Sequence, residues 1–297
     1  MAKILITGID GFTGRYLARR LAGSGHDVCG ITHRADNGCE WRTYMADLLD
    51  RARLAEICEL ERPDAVAHLA AIAFVAHDNV SAIYQTNVVG TRNLLDALAS
   101  CSHVPRSVLL ASSANVYGNA NHEWIDESTP PAPANDYAVS KLAMEFVARL
   151  WCERLPIVVV RPFNYTGVGQ AANFLLPKIV AHYRDRARVL ELGNLDVIRD
   201  FSDVRSVVAT YEKLLGGAFA GETFNVCSGI GHSLQDVLLT MAALTGHRPE
   251  IRVNPNFIRA NEVHKLVGNG GKLCSAIGAI PSIALRDTLQ WMLESPV

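Results

Sequence analysis

The chain has 297 residues, 49% hydrophobic, 20% charged and 7% aromatic, with 28 basic against 30 acidic side chains and a formal net charge of −2. A chain this long can bury roughly three quarters of the surface its unfolded form exposes, so it fits one large domain or two moderate ones without a metal or disulfide staple. High apolar content with little net charge excludes a disordered chain. Lys and Arg interspersed with Asp and Glu leave no basic stripe for a nucleic acid.

The longest apolar stretch, AVAHLAAIAFVA at 65–76, is 12 residues broken by His68, whereas a membrane-spanning helix needs roughly 20. The N-terminal MAKILITGIDGF runs straight into glycines with no small-residue cleavage site. No membrane contact and a cytoplasmic location are therefore expected. Seven cysteines without a C-x-x-C pair agree with a reducing compartment.

In chain order, KILIT (Lys3–Thr7) reads as a first strand, followed by a helix with Leu17, Ala18, Leu21 and Ala22 on one face, ended by Gly23 and Gly25. DVCGIT (Asp27–Thr32) reads as the second strand. Leu54, Ile57 and Leu60 mark a helix that Pro63 stops before the buried strand AVAHLA. A long helix is predicted over 81–99. SVLLASS (107–113) and IVVVRP (Ile157–Pro162), separated by a helix of about 18 residues, read as strands buried on both faces. This alternation predicts an α/β fold with a doubly wound parallel sheet of Rossmann type. Beyond Pro162 the rhythm breaks into shorter segments, with helices predicted at 173–185, 204–215, 233–245 and 283–293.

Gly8, Gly11 and Gly14 in TGIDGFTG follow the first strand and open the first helix. Glycines there permit a tight turn and let backbone N–H groups approach a pyrophosphate at the positive helix end. Tyr137 and Lys141 in YAVSK lie four residues apart, on one helical face. A neighbouring ammonium would lower the phenol from about 10 toward neutrality, making Tyr137 a group able to give or take a proton at a carbonyl or alcohol. Ser113 ends a strand 24 residues earlier and can bond the same oxygen. The ten histidines show no H-x-x-x-H pair backed by carboxylates, and no G-x-S-x-G elbow is present, so neither a metal site nor a serine hydrolase is expected.

The three-and-three glycine spacing with Ser113, Tyr137 and Lys141 resembles the extended, nucleotide-sugar-modifying branch of the short-chain dehydrogenase superfamily, the epimerase/dehydratase family. That resemblance implies that Gly8, Gly11, Phe12, Thr13 and Gly14 hold a nicotinamide dinucleotide. Asp47 and Leu48 would flank its adenine. The backbone after His68, at Leu69, Ala70 and Ala71, would line it, and Asn87 in TNVVGTRNLL would support Lys141 through water. At the end of the second strand, where an acid would bind the ribose of NAD(H), stand Thr32, His33 and Arg34. Arg34 could pair with a 2′-phosphate, which favours NADP(H) over NAD(H); the alternative is a solvated loop cation.

Ala114 and Asn115 stand where dehydratases of this branch carry an acid and a base. Neither exchanges a proton near neutral pH, so 4,6-dehydration is disfavoured while reduction and epimerisation stay open. RPFNYTGVGQ, LGNLDVIRDFSDV and FNVCSG resemble segments of GDP-mannose dehydratases and, more closely, of GDP-4-keto-6-deoxymannose reductases. The resemblance implies a nucleotide-diphosphate sugar, GDP-linked, as ligand. Asn115 and Asn164 would contact the sugar or its phosphates, Arg199 the diphosphate, and Arg259 with Glu262 the nucleotide ribose and phosphates. Lys178 is a further phosphate candidate. The alternative for Arg199 is an ion pair with Asp200 or Asp203. The expected activity is NADP(H)-preferring reduction of GDP-4-dehydro-6-deoxy-D-mannose to GDP-D-rhamnose. Its rivals are a 4-epimerase with tightly bound NAD and, further off, a 4,6-dehydratase or a non-catalytic NADP(H)-sensing protein. Residues 1–165, with 194–228 returning to them, would bind the dinucleotide; 166–193 and 229–297 would bind the sugar nucleotide. A homodimer through helices including that of Tyr137 is also implied.

Overall fold

The computed structural model describes residues 1–34, 40–73, 79–119, 124–258, 263–279 and 282–295. In its first half the strands are β1 (Lys3–Thr7), β2 (Asp27–Thr32), β3 (Arg42–Met45), β4 (Ala65–His68), β5 (Ser107–Ala111) and β6 (Ile157–Pro162). The helices between them are α1 (Phe12–Gly23), α2 (Arg51–Glu61), α3 (Val80–Tyr84), α4 (Thr91–Ser100) and α5 (Asp136–Arg149). Then come β7 (Asn164–Thr166), α6 (Leu175–Arg184), β8 (Val189–Leu192), β9 (Ile198–Asp203), α7 (Val204–Gly216) and β10 (Thr223–Val226). The chain closes with β11 (Gly231–Ser233), α8 (Leu234–Thr245), β12 (Glu250–Val253), β13 (Lys265–Leu266), α9 (Gly271–Ile277) and α10 (Leu285–Glu294).

Seven strands form one parallel sheet in the order β10-β6-β5-β4-β1-β2-β3. This is the doubly wound arrangement that the alternating apolar runs predict. On one face, Leu17 and Leu21 of α1 and Val207, Tyr211 and Leu214 of α7 pack on Ile4, Ile6 and Val160. On the other, Leu54 and Ile57 of α2, Leu94 and Leu98 of α4 and Met144 of α5 pack on Leu5, Val66 and Leu110. The connections turn opposite ways between β1 and β4, so a crevice opens at the carboxyl ends of those two strands, where such sheets take their ligands.

β9 pairs with β11, β13 and β7, and β8 with β12. These short strands pack with α6, α8 and α10 around Ile179, Leu190, Phe201, Val237 and Leu289. Within 194–228, β9 thus belongs to the smaller sheet, while α7 and β10 lie against the larger one.

The single helix predicted over 81–99 is three segments: α3, a wider π-type turn at Gln85–Gly90, and α4. α5 is shorter than predicted because Asn135 caps it, accepting from the Ala138 N–H at 2.9 Å. No described helix is long and apolar enough to cross a membrane.

Candidate active site

The turn from β1 into α1 is packed so closely that side chains would not fit. Gly8 sits at φ +69°, and a Cβ on it would lie 2.9 Å from the Ala70 Cα. A Cβ on Gly14 would come within 2.1 Å of the Gly8 carbonyl oxygen. α1 starts at Gly11 with no side-chain cap and no acidic residue in its first turn, leaving its leading N–H groups and positive dipole end available to an anion. Glycine cradle and uncapped helix start together fit a dinucleotide pyrophosphate. Thr13 is hydrogen-bonded to the Tyr165 hydroxyl at 2.8 Å, and Phe12 stacks on the Tyr165 ring. Asp47 is exposed and accepts from the Leu49 N–H; Leu48 is buried against Gly90, whose Cβ would come within 2.7 Å of it.

Behind this crevice His68 is fully enclosed, with Nδ1 2.7 Å from the Thr7 hydroxyl and Nε2 2.9 Å from the Thr91 hydroxyl. Thr91 donates to the Asn87 carbonyl, and Thr7 accepts from the Ala70 N–H. These directions assign the proton to Nε2, making a chain from Ala70 N–H through Thr7, His68 and Thr91 to Asn87. Burial, helped by the Lys141 charge, drives the His68 pKa down to about 3, so the imidazole is neutral. The result holds Leu69, Ala70 and Ala71, each half-buried, against the glycine turn.

Ser113, Tyr137 and Lys141 are all buried, at 5%, 7% and 4% exposure, and Ser113 is hydrogen-bonded to Tyr137. Ser113 caps the short 3₁₀ turn 114–117 and accepts from both the backbone N–H and the side-chain amide of Asn115, each at 3.1 Å. The predicted lowering of the Tyr137 pKa is overturned. Burial pushes the phenol up to about 12, Ser113 pulls it back by hydrogen bonding, and the neighbouring Tyr165 raises it further. Lys141 instead donates to the Ala111 carbonyl at 2.7 Å, and burial lowers it to about 8 against the opposing charge of Glu145. Asn87 lies on the neighbouring π-type turn. Its side chain exchanges two hydrogen bonds with the Ile72 backbone and donates to Ser140, which in turn donates to the Tyr137 carbonyl.

Behind Lys141 lies a buried ion pair. Arg161 of β6 forks onto Glu145 of α5 at 2.9 and 2.6 Å, and Ser112 donates to the same carboxylate at 2.5 Å. The arginine's other arm donates to Tyr117, which donates to Asn225, tying α5, β6 and β10 into one network.

On the sugar-nucleotide side, Asn164 is exposed at the start of β7. Lys178 donates to the Glu191 carbonyl and lies 3.9 Å over the Phe257 ring. Arg199 donates to the carbonyls of Ile198 and His264. Neither carboxylate suggested for it is its partner: Asp200 is buried and takes N–H bonds from Ser228, Gly229 and Gly268, while Asp203 is forked by Arg205. Arg34 approaches the buried Asp10 at 3.8 Å. Arg259 and Glu262 lie outside the described residues.

Residues 4–227 match the model of the NAD dependent epimerase/dehydratase family. The chain belongs to that family. It is 34% identical to the GDP-6-deoxy-D-talose 4-dehydrogenase of Aggregatibacter actinomycetemcomitans, over 93% of this chain and 91% of the relative. It is 33% identical to the GDP-6-deoxy-D-mannose reductase of Pseudomonas aeruginosa, over 98% and 96%. Among solved structures, a candidate epimerase from Burkholderia cenocepacia J2315 is 50% identical with a TM-score of 0.92, covering 99% of this chain and 97% of that one. RMD from Pseudomonas aeruginosa, complexed with NADPH, is 32% identical with a TM-score of 0.83, covering 99% and 98%.

For this epimerase/dehydratase chain, sequence reasoning passed over Asp10, the His68 side chain, Glu145, Arg161 and Tyr165, and named Asp200 only as a partner for Arg199. His68 alone carried a visible signal, an ionisable ring inside an otherwise apolar strand.

Proposed function

We propose that the chain is a ketoreductase acting at C4 of a nucleotide-linked 6-deoxyhexose, with NADP(H) preferred, and that it converts GDP-4-dehydro-6-deoxy-D-mannose to GDP-D-rhamnose. The observation that carries this reading is the buried cluster of Ser113, Tyr137 and Lys141 followed by Ala114 and Asn115. It can protonate a carbonyl oxygen but holds no acid–base pair for eliminating water. The two GDP-sugar relatives support the nucleotide and the position of reaction.

When bound, the dinucleotide supplies the hydride. The glycine turn and the α1 start would hold its pyrophosphate, and Lys141 its nicotinamide ribose. Tyr137, kept protonated by burial, gives its proton to the C4 oxygen as negative charge develops there. Ser113 donates to the same oxygen and fixes its position. Asn115, bonded to Ser113, holds that hydroxyl in place. Asn164 and Arg199 would meet the sugar and the diphosphate.

The test is to offer NADPH and NADH with GDP-, UDP- and dTDP-4-keto-6-deoxy sugars, follow loss of reduced-nicotinamide absorbance and determine product stereochemistry. Consumption with the GDP sugar and a D-rhamnose product supports the reading; no consumption with any sugar refutes it. A second reading, a 4-epimerase, draws on the likeness to the Burkholderia candidate epimerase. A dinucleotide that survives dialysis and sugar interconversion without net oxidation would favour it.

A homodimer is part of the proposal, supported by the exposed apolar side chains Val139, Phe146 and Leu150 on and just beyond α5. So is a cytoplasmic setting, supported by free thiols at the described cysteines.

A further inference from the structure

Away from the glycine turn, a cleft of about 440 Å³ opens where the ends of α6 and α8 meet α10. Arg184, Arg186 and Arg286 line it, together with Thr245, Gln290 and Glu294. In a chain of 28 basic and 30 acidic residues this is a local excess of positive charge. The segment HYRDRAR at 182–188 sets three arginines and a histidine against one aspartate, and the fold adds Arg286 from the last helix. Glu294 is the one carboxylate among the described lining residues, and it accepts from the Gln290 side chain at 2.8 Å.

Capping of helix ends explains part of this arrangement. Arg184 donates to the Met292 carbonyl of α10, and Arg186 donates to the Thr245 carbonyl of α8 at 3.5 Å; cations are favourable at the carboxyl ends of helices. Capping does not explain the rest. Arg184 Nε is buried without a hydrogen-bond partner, whereas buried donors are normally satisfied. Arg286 stands at the second position of α10, where a positive charge opposes the helix dipole. Among the described residues, no carboxylate pairs with any of the three arginines. Like charges gathered without a counter-charge cost stability.

We propose that this cleft binds a small compound carrying a diphosphate, which Arg184, Arg186 and Arg286 hold in common and which thereby bridges α6, α8 and α10. Each guanidinium is a planar fork able to donate two parallel hydrogen bonds. The terminal oxygens of a diphosphate can fill several such forks, whereas a single carboxylate fills one. The volume lies within the range of small-molecule sites, so an organic group can accompany the diphosphate. None of the lining residues belongs to the glycine turn or to the cluster around Ser113, and the site stands or falls independently of the ketoreductase reading.

Calorimetric titration with inorganic pyrophosphate at fixed ionic strength tests the proposal, with hydrogen exchange to locate the binding. Wild type should bind pyrophosphate more tightly than orthophosphate, and exchange should slow over 182–188 and 285–294. Arg186→Gln combined with Arg286→Gln alters two exposed side chains and should weaken pyrophosphate at least about tenfold, since charge-assisted bonds are lost, and should remove that protection. Glu294→Gln, which deletes the one opposing charge, should tighten binding. Pyrophosphate affinity in the double variant within about twofold of wild type, protection confined to other segments, or no binding at all would each overturn the site.

Discussion

The Lys141 ammonium donates to the Ala111 carbonyl, 2.7 Å away at the end of β5, two residues before Ser113. The lysine is thereby fastened to the strand that delivers the serine, and the Glu145 charge partly offsets its burial. With Lys141 lowered to about 8 and Tyr137 raised to about 12, the lysine deprotonates first as pH rises. The rate of reduction, read as kcat/KM for the ketosugar, should therefore fall along an alkaline limb near pH 8, where Lys141 loses its charge and Tyr137 still holds its proton. Lys141→Arg, if it retains measurable turnover, should carry no such limb, and a limb unchanged in that variant would assign it elsewhere.

Tyr137→Phe removes the proton donor and little else, since the phenyl ring keeps its buried place. Turnover should drop by at least about a hundredfold, the usual worth of a positioned acid. The NADPH dissociation constant from fluorescence titration should stay within about threefold. Full activity in this variant would sink the proposed acid.

His68 couples the fold to pH. Its pKa is about 3 in the folded chain against 6.5 as an exposed group, so between those values the unfolded chain binds the extra proton. Stability attributable to His68 is present above about 6.5 and drains as pH falls toward 3. At pH 5 the loss is about 2 kcal/mol. Urea unfolding at pH 7.5 and pH 5 should show the wild type losing about that much more than a His68→Gln variant. Equal losses would mean that the ring is already protonated or solvated.

Glu145→Gln leaves the Arg161 guanidinium buried with a neutral partner. Breaking one side of a buried pair costs about 3–5 kcal/mol, whereas exchanging both for apolar residues of similar size is far milder. The single variant should show a clearly lowered thermal midpoint, and Glu145→Gln with Arg161→Met should recover part of it. A double variant no more stable than the single one would show that the network acts through Tyr117 and Asn225 rather than through charge.

Gly14→Ala should prevent dinucleotide binding without unfolding the chain. The added methyl meets the Gly8 carbonyl at 2.1 Å, and relief requires the start of α1 to move off the turn. Titration should show affinity weakened by more than about tenfold, with far-ultraviolet circular dichroism unchanged.

What could be read in advance follows the physics of each part. VLL in β5 and VVV in β6 are apolar on consecutive positions because helices cover both faces of the sheet, and strands buried on both faces read that way. β9 reads IRDFSD; its Asp200 is buried only because Ser228, Gly229 and Gly268 arrive from elsewhere to donate to it, so no local pattern marks the strand. Ser113, Tyr137 and Lys141 could be singled out from their spacing and places beside the strands and helix. The phenol's pKa could not be read this way, since burial, set by the whole fold, outweighs a neighbour four residues away. Glu145 and Arg161 likewise read as ordinary helix and strand-end charges until the fold seats them together.

The π-type turn at Gln85–Gly90 admits one residue more than an α-helical turn. α4 therefore continues about 100° out of phase with α3, and it is this rotation that aims Thr91 at His68 while Leu94 and Leu98 face the core. Losing one residue there would leave an intact, straighter helix, yet every side chain after it would point elsewhere. A family alignment should thus tolerate gaps in the surface loops of this chain and none between residues 85 and 90.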